Sequence, residues 1–287
     1  LLAITTYSQA HWFKKLKLSR PGAEYQPLFL EKTMAQRILM NQEQMNFAKN
    51  IPLFSGLSTQ EKDTILKSGG IYSYGDKKSI YRQEDAVKYI YIVCSGIVQE
   101  CRQTSDGREL TVNIYSVGDV FCKTSAFATD AVHTTNAITV GEADILELPI
   151  GLFKESLLKY AALTRQFFAD LAQFAHQKQI EVEQQATMTA TEIVACFLRK
   201  TCSVYGLDPN GFKLPFKKSL IASRLGMELE TLSRTLPKLQ EHGIFVKGSH
   251  VNFVRAKTEA DNKAGANNIV RFPAAVKAVK HPLYAAI

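Results

Sequence analysis

Lys217-Lys218-Ser219-Leu220-Ile221-Ala222-Ser223-Arg224-Leu225-Gly226-Met227-Glu228-Leu229-Glu230-Thr231-Leu232-Ser233-Arg234 is the stretch that decides how this chain reads. Leu220, Ile221 and Leu225 supply the inward side of a first helix, and Ala222 is small enough for close helix–helix contact. Gly226 relieves the backbone at a tight turn. Leu232, Leu236 and Leu239 follow at i, i+4 and i+7, so they share the inward face of a second helix. Glu230, Ser233 and Arg234 are left on its other side, with Glu230 and Arg234 one turn apart. A carboxylate there can accept from cytosine N4, a guanidinium can pair bidentately with guanine O6 and N7, and the serine can bond a base or a phosphate. The competing use is an exposed intrahelical ion pair worth about a few tenths of a kcal/mol; the flanking two-helix pattern favours base reading. Lys217, Lys218, Ser219 and Arg224 fit phosphate contacts around the first helix. Pro237 lacks an N–H and opposes the Ser233 carbonyl, so the second helix is expected to kink or end there.

Working outward, Glu192 to Ser203 carries Ile193, Val194, Phe197 and Leu198 on one side of a preceding helix. Phe212-Lys213-Leu214-Pro215 reads as a short strand, and Gly243 to Phe253 as a hairpin turning at Lys247-Gly248-Ser249. Helix, helix-turn-helix and hairpin make a winged helix-turn-helix over 188–254. Lys247, Ser249 and His250 add phosphate-contact candidates from the wing. Upstream, Leu163, Phe167, Leu171 and Phe174 fall on one helical face, and neither Gly nor Pro occurs from Ala161 to Val204. The expected helix starts near Leu157 and continues past Gln185. Its length points to a connecting helix over 155–187 that also dimerises the protein; a buried core helix is the alternative.

Residues 71–149 have a different rhythm. Short β-branched and aromatic runs, such as Tyr89 to Cys94 and Leu110 to Tyr115, are punctuated by Gly75-Asp76, Ser95-Gly96, Asp106-Gly107 and Gly118-Asp119. That pattern predicts a β-sandwich or barrel and not an alternating strand–helix fold. Met34 to Lys67 reads as helical, with Ser58 and Glu61 forming a capping box. The expected fold class is α+β. An N-terminal extension and leading helix (1–46) precede a β-roll sensor domain (47–154), the connecting helix, the winged domain and a basic tail (255–287).

The chain has 287 residues, room for two domains, with 46% hydrophobic and 22% charged residues and a formal net charge of +8. The positive balance suits a polyanion partner. Five cysteines without Cys-x-x-Cys spacing argue against a disulfide framework and for a reducing cytoplasm. No apolar run is long enough to span a bilayer, and no membrane partner is expected; Trp12 beside Lys14, Lys15 and Lys17 leaves a basic amphipathic membrane segment as the alternative to a plain upstream extension over 1–33. No Ser–His–acid set, phosphate-binding loop or zinc-ligand spacing points to an enzyme.

Residues 47–254 resemble the Crp/Fnr superfamily of bacterial transcription regulators. The resemblance rests on Leu214-Pro215 leading into the first helix, on Glu230-Thr231-Leu232-Ser233-Arg234, and on the Gly118-Asp119-Val120-Phe121 corner. It implies a roll of the cyclic-nucleotide-binding type, a long dimer helix and a winged helix-turn-helix. It further implies a signal-gated homodimer on double-stranded DNA with RNA polymerase as a partner. Glu-x-x-Ser-Arg is similar to readers of a TTGA-like half-site, which makes Glu230, Ser233 and Arg234 the implied base contacts. Leu229 stands where the cAMP-receptor type carries a further base-contacting Arg. The alternative is a ligand-binding module that acts through protein–protein contacts.

The resemblance also bears on the effector. Members that bind cAMP hold the cyclic phosphate with a Gly-Glu-Leu segment and an Arg-Ser/Thr pair. The matching stretches here, Gly118 to Lys123 and Val132 to Asn136, lack that Glu and that Arg, so cAMP is not expected. Iron–sulfur sensors use a group of thiolates near the N-terminus, yet no Cys precedes Cys94, so a cluster is not expected either. The run Leu220 to Met227 followed by Glu-x-x-Ser-Arg is similar to the Dnr/Nnr-like branch, which implies a response to nitric oxide with haem as the cofactor. His133, His176 and Cys122 are the candidate axial ligands. The expected effector pocket comprises Phe121, Cys122, Lys123, His133 and Thr134.

Overall fold

The short apolar runs of the first half pair into two antiparallel sheets, because one face of each strand can be buried only against another sheet. The structure, a computed structural model, describes residues 35–38, 40–103 and 109–253. The first sheet has the order β1-β2-β9-β4-β7, with β1 Gln36–Ile38, β2 Gly70–Tyr74, β4 Tyr89–Ser95, β7 Val120–Phe121 and β9 Ala143–Pro149. The second has the order β3-β8-β5-β6, with β3 Ser79–Tyr81, β5 Val98–Gln103, β6 Glu109–Tyr115 and β8 Asn136–Thr139. Ile71, Ile90, Ile92, Ile145, Leu146 and Leu148 are buried in the common core. Gly96 makes the β4–β5 turn with φ +79°, and a Cβ there would lie 2.2 Å from the Glu142 carbonyl oxygen, so only glycine fits.

Two helices lead into the roll. Asn41 and Gln44 form a capping box on α1 (Gln42–Lys49), and Ser58 and Glu61 form the expected one on α2 (Thr59–Lys67). One segment departs from the helical reading of 34–67. Gln36–Ile38 pairs with Ser73–Ile71, since the free edge of β2 offers backbone partners that outweigh a weak local preference. After a short α3 (Lys123–Phe127), the expected single helix is divided. α4 spans Ile150–Lys159 and α5 spans Ala161–Thr187, with Tyr160 extended between them. The bend brings Phe153 of α4 against Phe167 of α5, ring centroids 5.6 Å apart, and Phe127 lies 4.9 Å from Phe167. Phe167→Ala is expected to destabilise the protein by about 3–5 kcal/mol, read from urea unfolding. A loss under ~1 kcal/mol would mean that this cluster does not anchor the helix.

Thr189 and Glu192 cap α6 (Ala190–Val204). The helix-turn-helix follows as α7 (Lys218–Arg224) and α8 (Leu229–Thr235), with Gly226 at φ +65° in the turn. A 3-10 segment, Leu236–His242, continues α8. β10 (Phe212–Lys213) joins the hairpin of β11 (Ile244–Lys247) and β12 (His250–Phe253) in the order β10-β12-β11. Val194, Leu198, Leu220, Ile221, Leu232, Leu239, Ile244 and Val251 form this second core. Ile97, Ile114 and Val140 of the roll pack against it. Among the described residues no helix is long and apolar enough to cross a membrane. The extension before residue 34, the Asp106-Gly107 turn and the basic tail lie outside the described residues.

Candidate nucleic-acid interface

Pro237 sets the length of α8. The α-helical pattern stops at Thr235 and tightens into the 3-10 segment, as the missing N–H requires. Leu232, Thr235, Leu236 and Leu239 are buried beneath it. Glu230, Ser233 and Arg234 are all exposed. No salt bridge joins Glu230 to Arg234 among the described residues, which leaves the carboxylate and the guanidinium open to outside partners. Leu229, 46% exposed, begins the same helix.

Lys217 and Ser219 are exposed at the start of α7, and Lys218 beside them is half-buried. Lys247 and His250 are exposed on the wing, where the half-buried Ser249 accepts a hydrogen bond from Leu214 N through its carbonyl, 2.8 Å. Lys238, just past Pro237, is a further exposed cation. Its place was hidden in the sequence because a broken helix does not fix a side chain's direction by period alone.

Arg224 stands apart from the expected phosphate group. Its guanidinium donates to Glu181 of α5 at 2.7 Å and is 16% exposed. Glu181 also meets Lys178 at 3.0 Å and Lys200 at 3.3 Å. Burial alone would raise the Glu181 carboxyl, but Arg224, then Lys178 and Lys200, outweigh it and hold it at about 2. The neighbouring Ser223 Oγ lies 2.7 Å from Thr111 Oγ1, accepts from Thr111 N at 3.0 Å and donates to the Glu109 carbonyl at 3.0 Å. Lys178 Nζ donates to the Val112 carbonyl at 3.1 Å. The last turn of α7 is therefore fastened both to strand β6 and to α5. Partners 43 and 112 positions away give no local sequence signal.

The interior of the roll is aromatic. Tyr81 stacks on His133 with centroids 3.7 Å apart, and Phe121 stacks on Tyr91 and Tyr115 at 5.1 and 5.2 Å. Cys122 Sγ lies 3.4 Å from His133 Nδ1. Of the expected effector set, Phe121, Cys122 and His133 are thus brought together. Lys123 is buried, but its ammonium faces Asp170 of α5 at 2.7 Å and lies over the Phe174 ring. Thr134 is exposed, and its carbonyl accepts two bonds from Arg102, at 3.1 and 2.7 Å. The sequence reading missed Tyr81, Tyr91, Glu100 and Tyr115. Glu100 is obscured by a register shift between Glu100 and Cys101, which breaks the alternation that would have placed it.

Burial pushes His133 down to about 4, against the pull of Asp85 and Glu100, and pushes the Cys122 thiol up to about 12. A haem iron takes a free imidazole or thiolate beside room for the macrocycle. His133 is stacked and paired with Cys122, Cys122 keeps its proton, and His176 is exposed on α5. The structure thus brings His133 and Cys122 together and places His176 on α5. The His133 shift has a consequence for stability. Between its folded value and about 6.5 the unfolded chain binds more protons. Stability is then full above about pH 6.5 and falls by roughly 3 kcal/mol as pH drops towards 4. Urea unfolding between pH 7.5 and 4.5 should show that slope, and His133→Gln should flatten it. An equal slope in both proteins would remove His133 from the account.

Comparison with known proteins agrees with this architecture. A family model described as "Cyclic nucleotide-binding domain" matches residues 72–160, and one described as "Crp-like helix-turn-helix domain" matches residues 194–256. The chain is 28% identical over 200 residues to the Cyclic AMP receptor protein of Thermus thermophilus, covering 68% of this chain and 88% of that protein. It is 25% identical over 185 residues to the Transcriptional activator protein FnrA of Stutzerimonas stutzeri, covering 63% and 74%. The structure of FixK2 from Bradyrhizobium japonicum shares the fold with a TM-score of 0.58 at 22% identity, covering 70% of this chain and 99% of that one. With a cyclic-nucleotide-type roll, a long helix and a Crp-like helix-turn-helix in one chain, the protein belongs to the Crp/Fnr family of DNA-binding transcription regulators.

Proposed function

We propose that the chain acts as a homodimer whose β-roll receives a signal and whose two α8 helices read a TTGA-like palindrome. One observation carries this reading. Glu230, Ser233 and Arg234 project from a helix whose opposite face, Leu232, Leu236 and Leu239, is sunk in the domain core. Glu230 and Arg234 have the donor and acceptor chemistry to separate C from G, and Ser233 adds a bond. Lys217, Lys218, Ser219, Lys247, Ser249 and His250 supply the phosphate grip that sets register. Arg224 belongs instead to the junction with Glu181.

Dimerisation is supported by α5. Phe168, Ala172, Ala175, Gln179, Val182 and Ala186 follow one another at spacings of 4, 3, 4, 3 and 4, and all six are exposed in the single chain. That is the seam of a two-stranded coiled coil, with Phe168 and Val182, 60% and 66% exposed, as its larger apolar members. Two-fold pairing along α5 would present two reading helices to half-sites one helical turn apart. Gating is supported by the Ser223–Thr111 and Arg224–Glu181 contacts, through which a shift of β6 or α5 pulls directly on α7. RNA polymerase is the partner through which a DNA-bound dimer acts in the cytoplasm.

The test is an anisotropy titration of a TTGA palindrome and a scrambled duplex at several salt concentrations. The palindrome is expected to bind at least ~1,000-fold more tightly at physiological salt. Equal affinities with equal salt slopes would reduce the protein to a non-specific polyanion binder.

A further inference from the structure

A carboxylate occupies the polar end of the roll's interior. Glu100 of β5 accepts hydrogen bonds from Tyr81 Oη at 3.3 Å, Tyr115 Oη at 2.8 Å, Asn113 Nδ2 at 2.7 Å and Thr135 Oγ1 at 2.7 Å. The four donors come from β3, β6 and the segment before β8, and each is between 5% and 8% exposed. All four are neutral groups. Burial, with the charge of Glu100 added, pushes the Tyr81 and Tyr115 hydroxyls well above their ordinary range, so both remain donors. Four buried donors aimed at one point constitute an anion cradle, and its occupant is the chain's own side chain.

None of these four donors has a proton left to give. A hydroxyl carries a single proton, so Tyr81, Tyr115 and Thr135 are each spent on Glu100. Asn113 Nδ2 has two, one on Glu100 and one on Tyr115 Oη at 3.1 Å. An arriving anion would meet oxygen lone pairs and a like charge. It would also compete with a tethered carboxylate, whose effective concentration no free ion matches at ordinary levels. We infer that Glu100 is the specificity-determining residue of the roll, a built-in anion that closes the donor cradle to anionic effectors, cyclic nucleotides included. The inference rests on reading the roll as a sensor.

The full-length protein, Glu100→Ala and Glu100→Gln are compared by thermal unfolding in sodium formate, sodium acetate and sodium chloride at equal ionic strength. The parent is also titrated with cAMP by calorimetry. Glu100→Ala empties the cradle while keeping its donors, so formate or acetate should raise its midpoint by roughly 2–5 °C over chloride. The parent and Glu100→Gln, whose cradles stay filled, should not respond, and the parent should take up no cAMP. Saturable binding of cAMP or formate by the parent overturns the inference. So does a folded Glu100→Ala protein that formate stabilises no better than chloride. Should Glu100→Ala fail to fold, the anion and cAMP titrations of the parent decide. DNA binding is followed in parallel, with the parent and Glu100→Gln assayed against a panel of uncharged small molecules. Affinity indifferent to every ligand would sink the sensor reading while leaving the anion result intact.

Discussion

Arg234→Ala is expected to weaken binding to a TTGA palindrome by about 1–3 kcal/mol per half-site, roughly 5- to 150-fold, and to relax preference at one base pair. Arg234 is exposed one turn beyond Glu230 and carries no intramolecular salt bridge among the described residues. A free guanidinium on a groove-sized helix makes two parallel bonds to guanine, and alanine makes none. The helix should survive the change, because its anchors Leu232, Leu236 and Leu239 lie on the other face. The measurement is anisotropy on duplexes carrying each of the four bases at the contacted position. Loss confined to one base assigns Arg234 to base reading. Equal loss on all sequences would assign it to phosphate, and unchanged affinity would remove it from the interface. Lys217→Ala is the contrast: it should weaken every duplex alike and lower the salt slope by about 1.

If the proposed dimer pairs along α5, Phe168→Glu is expected to leave the protein monomeric at micromolar concentration and to abolish high-affinity binding to the proposed palindrome. The ring is 60% exposed in one chain and leads the proposed heptad seam on α5. Covering such a side chain contributes about 1.5–3 kcal/mol per copy. The substitution removes that and places two carboxylates opposite each other at the two-fold seam. Phe167, on the buried side, lies against Phe168 at 6.2 Å but is held by Phe153 and Phe127, so the protomer should stay folded. Sedimentation velocity gives the mass and circular dichroism checks the fold. A Phe168→Glu protein that still sediments as a dimer would place the subunit contact elsewhere.

Much of the architecture was legible because it is written in local periods. The capping box at Ser58–Glu61 and the leucines at 232, 236 and 239 depend on residues three to seven positions apart. Pro237 announced the end of α8 through its missing N–H alone. The divided helix at Tyr160 was not legible, since the packing of Phe153 on Phe167 is what makes an extended residue worthwhile there. Nor was the β1 edge strand, whose partners are 33 or more positions downstream.

The site divides along the same line. The sequence by itself determined the outward face of α8, because an amphipathic helix declares its outward residues through its buried ones. It also determined the family, through a run short enough to be matched residue by residue. Only the tertiary structure decided that Arg224 is bound to Glu181, that Lys123 faces Asp170 and that Glu100 sits inside a ring of donors. Those pairings join residues from 13 to 47 positions apart, and Ser223–Thr111 joins residues 112 apart. Chain separation of that size leaves no periodic trace, so the burial and hydrogen-bonding demands of the folded interior alone select the partners.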